Sequence, residues 1–119
     1  MHDVTIYHNP ACSKSRSTLD LIRKAGIEPR IIEYLREPPT REQLAGLIRA
    51  AGLAVRDALR VGEAPFQALA LDRPDLADDV LLDAMVAHPI LMERPFVTTP
   101  CGTRLCRPTE RVLEILAES

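Results

Sequence analysis

Cys12 is the residue of this chain best placed to do chemistry. It ends a loop, within Tyr7-His8-Asn9-Pro10-Ala11-Cys12-Ser13-Lys14-Ser15-Arg16, where a short apolar run gives way to an amphipathic one. A cysteine there lies ahead of the first turn of a helix, whose amides point outward and whose dipole favours negative charge. Lys14, Arg16 and, when protonated, His8 add cationic character. These features stabilise a thiolate, and the same amides can hold an oxyanion beside it. The chemistry expected is nucleophilic attack by Cys12 on an anionic substrate. A lone cysteine is most often a small buried hydrophobe. Here its neighbours Pro10, Ser13, Lys14 and Ser15 fall outside any apolar periodicity, which argues for function. Position 15 is serine, so no second thiol stands one turn away. Cys12 must be regenerated by Cys101, by Cys106 or by an external thiol such as glutathione.

Three arginines sit where structure alone does not ask for them. Arg60 closes a short helical stretch beside Gly62, Arg94 precedes Pro95, and Arg107 precedes Pro108. With Pro108 at the first helical position, Arg107 would be the N-cap, a place that favours Ser, Thr, Asp or Asn. Guanidinium forks suit oxyanions, while a solvated charge or a local carboxylate pair is the plain alternative for each arginine. Pro95 fits a cis bond at the entry to a strand facing the thiol. His8 either pairs with the thiolate or ends a strand, and His2 and His88 lack the spacing of metal ligands, so no metal site is expected. A phosphate loop of cysteine, five residues and arginine is excluded because position 18 is Thr18. No Walker or dinucleotide glycine pattern occurs.

The elements that must position these residues follow from periodicity. Val4-Thr5-Ile6-Tyr7 reads as a strand, ended by Pro10. From Ser13, the residues Thr18, Leu19, Leu21, Ile22 and Ala25 recur at helical spacing until Gly26 stops the helix. Arg30-Ile31-Ile32-Glu33-Tyr34 is a second strand, giving a βαβ unit with Cys12 at the carboxyl end of its first strand, where open α/β sheets bind ligands. After Pro38-Pro39, Thr40-x-x-Gln43 is a capping box opening a helix with Leu44, Leu47, Ile48 and Ala51 on one side. Shorter helices over Val55 to Leu59 and from Pro65, and a longer one from Asp78 to Ala87, complete a helical middle third. Phe96-Val97-Thr98-Thr99 and Thr103-Arg104-Leu105-Cys106 then form a hairpin about Pro100-Cys101-Gly102. A last helix carries Val112, Ile115 and Leu116. The fold class expected is α/β with a mixed four-stranded sheet. It is a thioredoxin-like arrangement in one domain over residues 1–119, with a helical insertion at about 40–92 between the βαβ and ββα halves.

Composition narrows the function classes. A net charge of −2 with 27% charged residues excludes a polyanion-binding surface, so no nucleic-acid partner is expected. Three cysteines do not make a disulfide framework, and the N-terminus has neither a basic n-region nor an apolar h-region. The apolar stretch from Val80 to Met92 is broken by Asp83, His88 and Pro89. A cytoplasmic protein without a membrane span is expected.

Four blocks carry a resemblance over essentially the whole chain: Ile6-Tyr7-His8-Asn9-Pro10-Ala11-Cys12, Tyr34-Leu35-x-x-Pro38-Pro39-Thr40, His88-Pro89-Ile90-Leu91-x-x-Arg94-Pro95, and Gly102-Thr103-Arg104-Leu105-Cys106-Arg107-Pro108. Together they resemble the glutaredoxin-linked arsenate reductase family. The resemblance implies a thioredoxin-like domain in which Cys12 attacks arsenate, glutathione acts as co-substrate, and glutaredoxin clears the glutathione left on the cysteine. No bound cofactor is implied. The family's anion-binding arginines match Arg60, Arg94 and Arg107, its histidine before the cysteine matches His8, and a serine supporting the cysteine loop matches Ser15. The chain departs from the best characterised members at Ser13-Lys14, where they have Gly-Thr, at Cys101, and in ending at Ser119, short of their C-terminus. Two other readings keep the fold: a glutathione-linked thiol oxidoreductase with little arsenate activity, and a redox-sensing regulator that binds RNA polymerase. The regulators commonly carry Cys-x-x-Cys, where this chain has Cys12-Ser13-Lys14-Ser15.

Overall fold

The computed structural model describes residues 3–116, so His2 lies outside the described residues. The chain divides into two compact units, one from Met1–Glu37 with Arg94–Ser119 and one from Pro38–Glu93.

The first unit is built on a sheet of β1 (Thr5–His8), β2 (Arg30–Glu33), β3 (Phe96–Thr99) and β4 (Gly102–Leu105), in the order β2-β1-β3-β4. β1 runs parallel to β2, with Ile6 opposite Ile31, and antiparallel to β3, with Ile6 opposite Val97. β3 and β4 form the hairpin. β3 has its expected bounds, while the other strands differ from theirs by about one residue: β1 reaches His8, β2 stops at Glu33, and Gly102 already belongs to β4. Helix α1 (Ser13–Lys24) connects β1 to β2 and buries Ser15, Thr18, Leu19 and Ile22, a stripe at helical spacing. It ends in a Schellman motif. Gly26, at φ +84°, donates its amide to Arg23 (2.9 Å), and Ile27 donates to Ile22 (3.3 Å). Val4, Ile6, Leu19, Ile22, Ile27, Val97, Cys106, Val112 and Ile115 make one continuous core between the sheet and these helices. The βαβ and ββα halves sharing one sheet are the thioredoxin-like fold.

The end of this unit differs from expectation. Pro108 is the N-cap, in an extended conformation, of a 3-10 turn over Thr109–Val112. Only then does helix Leu113–Leu116 begin. Arg107 therefore stands one residue outside the cap rather than on it, and Val112 and Ile115 are the buried members of the stripe.

The second unit is helical. Helix α2 (Arg41–Ala50) starts with the expected capping box: Gln43 donates its amide to Thr40 Oγ1 (3.1 Å), and Thr40 donates its own amide to Gln43 Oε1 (2.9 Å). It buries Leu44, Leu47 and Ile48. Val55–Ala58 forms a 3-10 turn rather than an α-helix, with Asp57 accepting the Ala54 amide at 3.1 Å. Helix α3 (Ala64–Ala68) carries Pro65 in its first turn, and α4 (Asp78–Ala87) has the expected bounds. Arg41 bridges Asp79 (2.8 Å) and Asp83 (2.9 Å), joining α2 to α4. The segment ends in a 3-10 turn, Pro89–Leu91, and an antiparallel bridge between Leu59 and Met92. Among the described residues no helix is long and apolar enough to cross a membrane.

Candidate active site

The cysteine loop is fixed by two periodicities meeting. Alternation along β1 puts His8 on the same inward face as Ile6. The buried stripe of α1 that carries Leu19 and Ile22 begins one turn earlier at Ser15. Where strand face and helix stripe converge, His8 Nδ1 and Ser15 Oγ lie 2.7 Å apart, both residues buried. Ser15 Oγ also accepts the Asn9 amide at 3.1 Å. Burial pushes the His8 pKa below its usual value; Glu33 opposes this, while Arg23 and Arg16 reinforce it. The imidazole is neutral at neutral pH, so Nδ1 can take the Ser15 hydroxyl hydrogen. This departs from the cationic role considered for His8, and the reason is its desolvation.

Cys12 is half-buried and caps α1 with an extended backbone. Its amide donates to the Asn9 carbonyl at 2.9 Å, and its carbonyl accepts the Arg16 amide at 3.0 Å, the first bond of the helix. The Arg16 side chain donates to the Pro10 carbonyl at 2.9 Å, pinning the outer side of the loop. Burial alone would raise the Cys12 pKa. The Ser15 amide, the Arg94 side chain and the Lys14 amide, all hydrogen-bonded to the sulfur, outweigh it and hold the thiol below its ordinary value. The sulfur faces first-turn amides and a guanidinium, donors of the kind that favour a thiolate and hold an oxyanion.

Arg94 is buried at the entry to β3, and the Arg94-Pro95 bond, which the sequence leaves open, is cis. Arg107 donates from Nη1 to the Arg94 carbonyl at 3.2 Å, so one expected arginine braces the backbone of another. The Arg107-Pro108 bond is also cis. Arg60 belongs to the helical unit. There its guanidinium meets Glu93 at 2.9 Å and Glu63 at 3.3 Å. Burial lowers its pKa, but the two carboxylates outweigh burial and raise it. The sheet unit thus gathers Cys12, His8, Ser15, Arg94 and Arg107, whereas Arg60 is held in a local carboxylate pair, the plain alternative for it.

The other two thiols differ from Cys12 in kind. Cys106 is fully buried in the sheet unit's core, and burial pushes its pKa up to about 12, against the pull of Arg111 and Arg104. Cys101 is exposed at the β3-β4 turn. Thr98, near that turn, pairs with Thr5 at the start of β1, whereas Cys12 follows the end of β1. Cys101 and Cys12 therefore lie at opposite ends of the sheet, beyond the ~7 Å between Cα atoms that a disulfide tolerates.

Comparison with known proteins bears on the family and the fold. Residues 7–115 match the model of the ArsC family. The chain is 59% identical over 116 residues to an arsenate reductase of Rhizobium meliloti (strain 1021), covering 98% of this chain and 83% of that one. It is 54% identical over 119 residues to an arsenate reductase of Escherichia coli (strain K12), covering 100% and 84%. The solved structure of an arsenate reductase from Vibrio cholerae superposes with a TM-score of 0.92 at 46% identity, covering 97% of this chain and 98% of that one. The match over residues 7–115, relatives at 54–59% identity along nearly the whole chain and the shared thioredoxin-like fold place this chain in the ArsC family.

Proposed function

We propose that this protein reduces arsenate to arsenite, with Cys12 as nucleophile and glutathione and glutaredoxin as the source of electrons. The observation that carries the reading is the Cys12 sulfur itself. Against burial, the Ser15 amide, the Arg94 side chain and the Lys14 amide lower its pKa, in a chain 59% identical to an arsenate reductase. The thiolate attacks the arsenic of arsenate, an S–As bond forms, and hydroxide leaves with a proton as water. The amides and Arg94 offset charge that builds on the arsenate oxygens, and Arg107 keeps Arg94 in place. A glutathione thiolate then attacks the Cys12 sulfur. The S–As electron pair departs with arsenic, reducing it from As(V) to As(III), and a Cys12–glutathione disulfide remains. Glutaredoxin attacks the glutathionyl sulfur and releases the Cys12 thiolate. An external thiol is favoured because Cys106 is buried and protonated and Cys101 lies at the far end of the sheet. The family resemblance alone assigns Arg60 to the anion; within its own unit it is held by Glu63 and Glu93.

The test is arsenite formation from arsenate with glutathione and glutaredoxin, on the parent protein and on Cys12→Ser. Activity is expected in the parent and absent in the variant. Activity that survives the substitution would refute the mechanism. A parent that exchanges glutathione at Cys12 yet makes no arsenite would point instead to a general thiol oxidoreductase.

A further inference from the structure

Asn9 was given no role by the sequence, yet its side chain, carbonyl and amide are each hydrogen-bonded within the loop. It is 5% exposed. Its side-chain Oδ1 accepts the Ala11 amide at 3.0 Å, its carbonyl accepts the Cys12 amide at 2.9 Å, and its own amide donates to Ser15 Oγ at 3.1 Å. The consequence concerns which amides face the sulfur. A helix begins with amides that have no partner inside it, and here the first return bond is made by Arg16. The amides of Ser13, Lys14 and Ser15 are therefore the outward-facing set, and those of Lys14 and Ser15 already support the sulfur. Without the Asn9 side chain, the Ala11 amide would need another acceptor. The turn that seats Cys12 ahead of α1 would then loosen, and the Lys14 and Ser15 amides would no longer be held against the sulfur.

We infer that Asn9 is a positioning residue for Cys12: it occupies the Ala11 and Cys12 amides, so that the loop has one conformation and the Lys14 and Ser15 amides stay in place against the sulfur. Ser15 completes the arrangement from the helix side by holding the Asn9 amide, which locks residue 9 between strand and helix. The inference rests on the reading of Cys12 as the nucleophile, but it does not depend on arsenate being the substrate.

The test uses alkylation of Cys12 by iodoacetamide as a function of pH, in the full chain carrying Cys101→Ser so that the exposed thiol does not contribute. Asn9→Ala is expected to raise the midpoint by about one pH unit, which is about a tenfold loss of thiolate at a fixed pH below it. Asn9→Ser, which keeps a side-chain acceptor, should recover part of the shift. Thr99→Ala removes a hydrogen bond to the Ile115 carbonyl far from the loop and should leave the midpoint unchanged. A folded Asn9→Ala protein with the parent midpoint overturns the inference, as does an equal shift in Thr99→Ala. Should Asn9→Ala fail to fold, amide exchange in the parent decides. Slow exchange at Ala11 and Cys12 with fast exchange at Ser13 is expected, and unprotected exchange at Ala11 overturns it. None of these readouts needs arsenate, so a protein inactive toward arsenate can still pass.

Discussion

Arg94 joins charge to position at the residue scale: it is buried, touches the Cys12 sulfur, and has its own carbonyl held by Arg107. Arg94→Ala removes a charge-assisted hydrogen bond from the thiolate, so the Cys12 pKa rises and the thiolate fraction falls at any pH below the new midpoint. Oxyanion binding should weaken more than tenfold, as the loss of such a bond implies. Arg107→Ala should weaken binding by a similar factor, partly by releasing the Arg94 backbone. Arsenate protection of Cys12 against alkylation measures both, and unchanged protection in both variants would refute their assignment to the anion site. Cys12, Arg94 and Arg107 stand out in the sequence because each residue type is unusual for its local setting, whereas Ser15 was named through the family resemblance and His8 left two readings open. The neutrality of His8 could not, since it depends on the burial that β1 and α1 create together. Asn9 escaped notice because its contribution is made largely through backbone groups, and an Asn before a proline reads as an ordinary turn residue.

The elements that were legible are those with explicit start and stop signals. Gly26 after the α1 stripe and the Thr40/Gln43 capping box each fixed a helix boundary, and Asp78 to Ala87 was bounded by acidic residues and His88-Pro89. Elements without such signals shifted. Val55–Ala58 is too short for its i, i+4 pattern to distinguish an α-helix from a 3-10 turn. At the C-terminal end, Pro108 takes an extended conformation and becomes the cap, where a proline-first rule had put it inside the helix. The α1 terminus provides a clean test. No neighbouring atom lies within 4 Å of where a Cβ on Gly26 would fall, so Gly26→Ala meets only backbone strain at φ +84°. A loss of about 1–2 kcal/mol is expected, read from the urea midpoint at unchanged slope. A loss near zero would mean the Schellman motif relaxes into another turn.

At the scale of the whole molecule, the sheet is assembled from distant parts of the chain. β1 lies between β2, reached through α1, and β3, which begins at Phe96. Local periodicity names those strands but does not order them. The parallel pairing followed from the βαβ connection, whereas the β1-β3 contact rested on the thioredoxin-like arrangement as a whole. Val97 sits at the centre of that contact, fully buried and opposite Ile6. Val97→Ala is expected to destabilise the sheet unit by about 1–3 kcal/mol through lost burial and an unfilled cavity, measured by denaturant unfolding. No measurable loss would show that the core can collapse around the smaller side chain. The hairpin that supplies β3 and β4 turns at Pro100 and Cys101, at the end of the sheet away from the cysteine loop. That placement makes Cys101 a natural attachment point for a fluorophore or spin label. Once Cys12 is shielded as its glutathione disulfide, a probe on Cys101 would test from the far end of the sheet whether the proposed glutaredoxin partner docks.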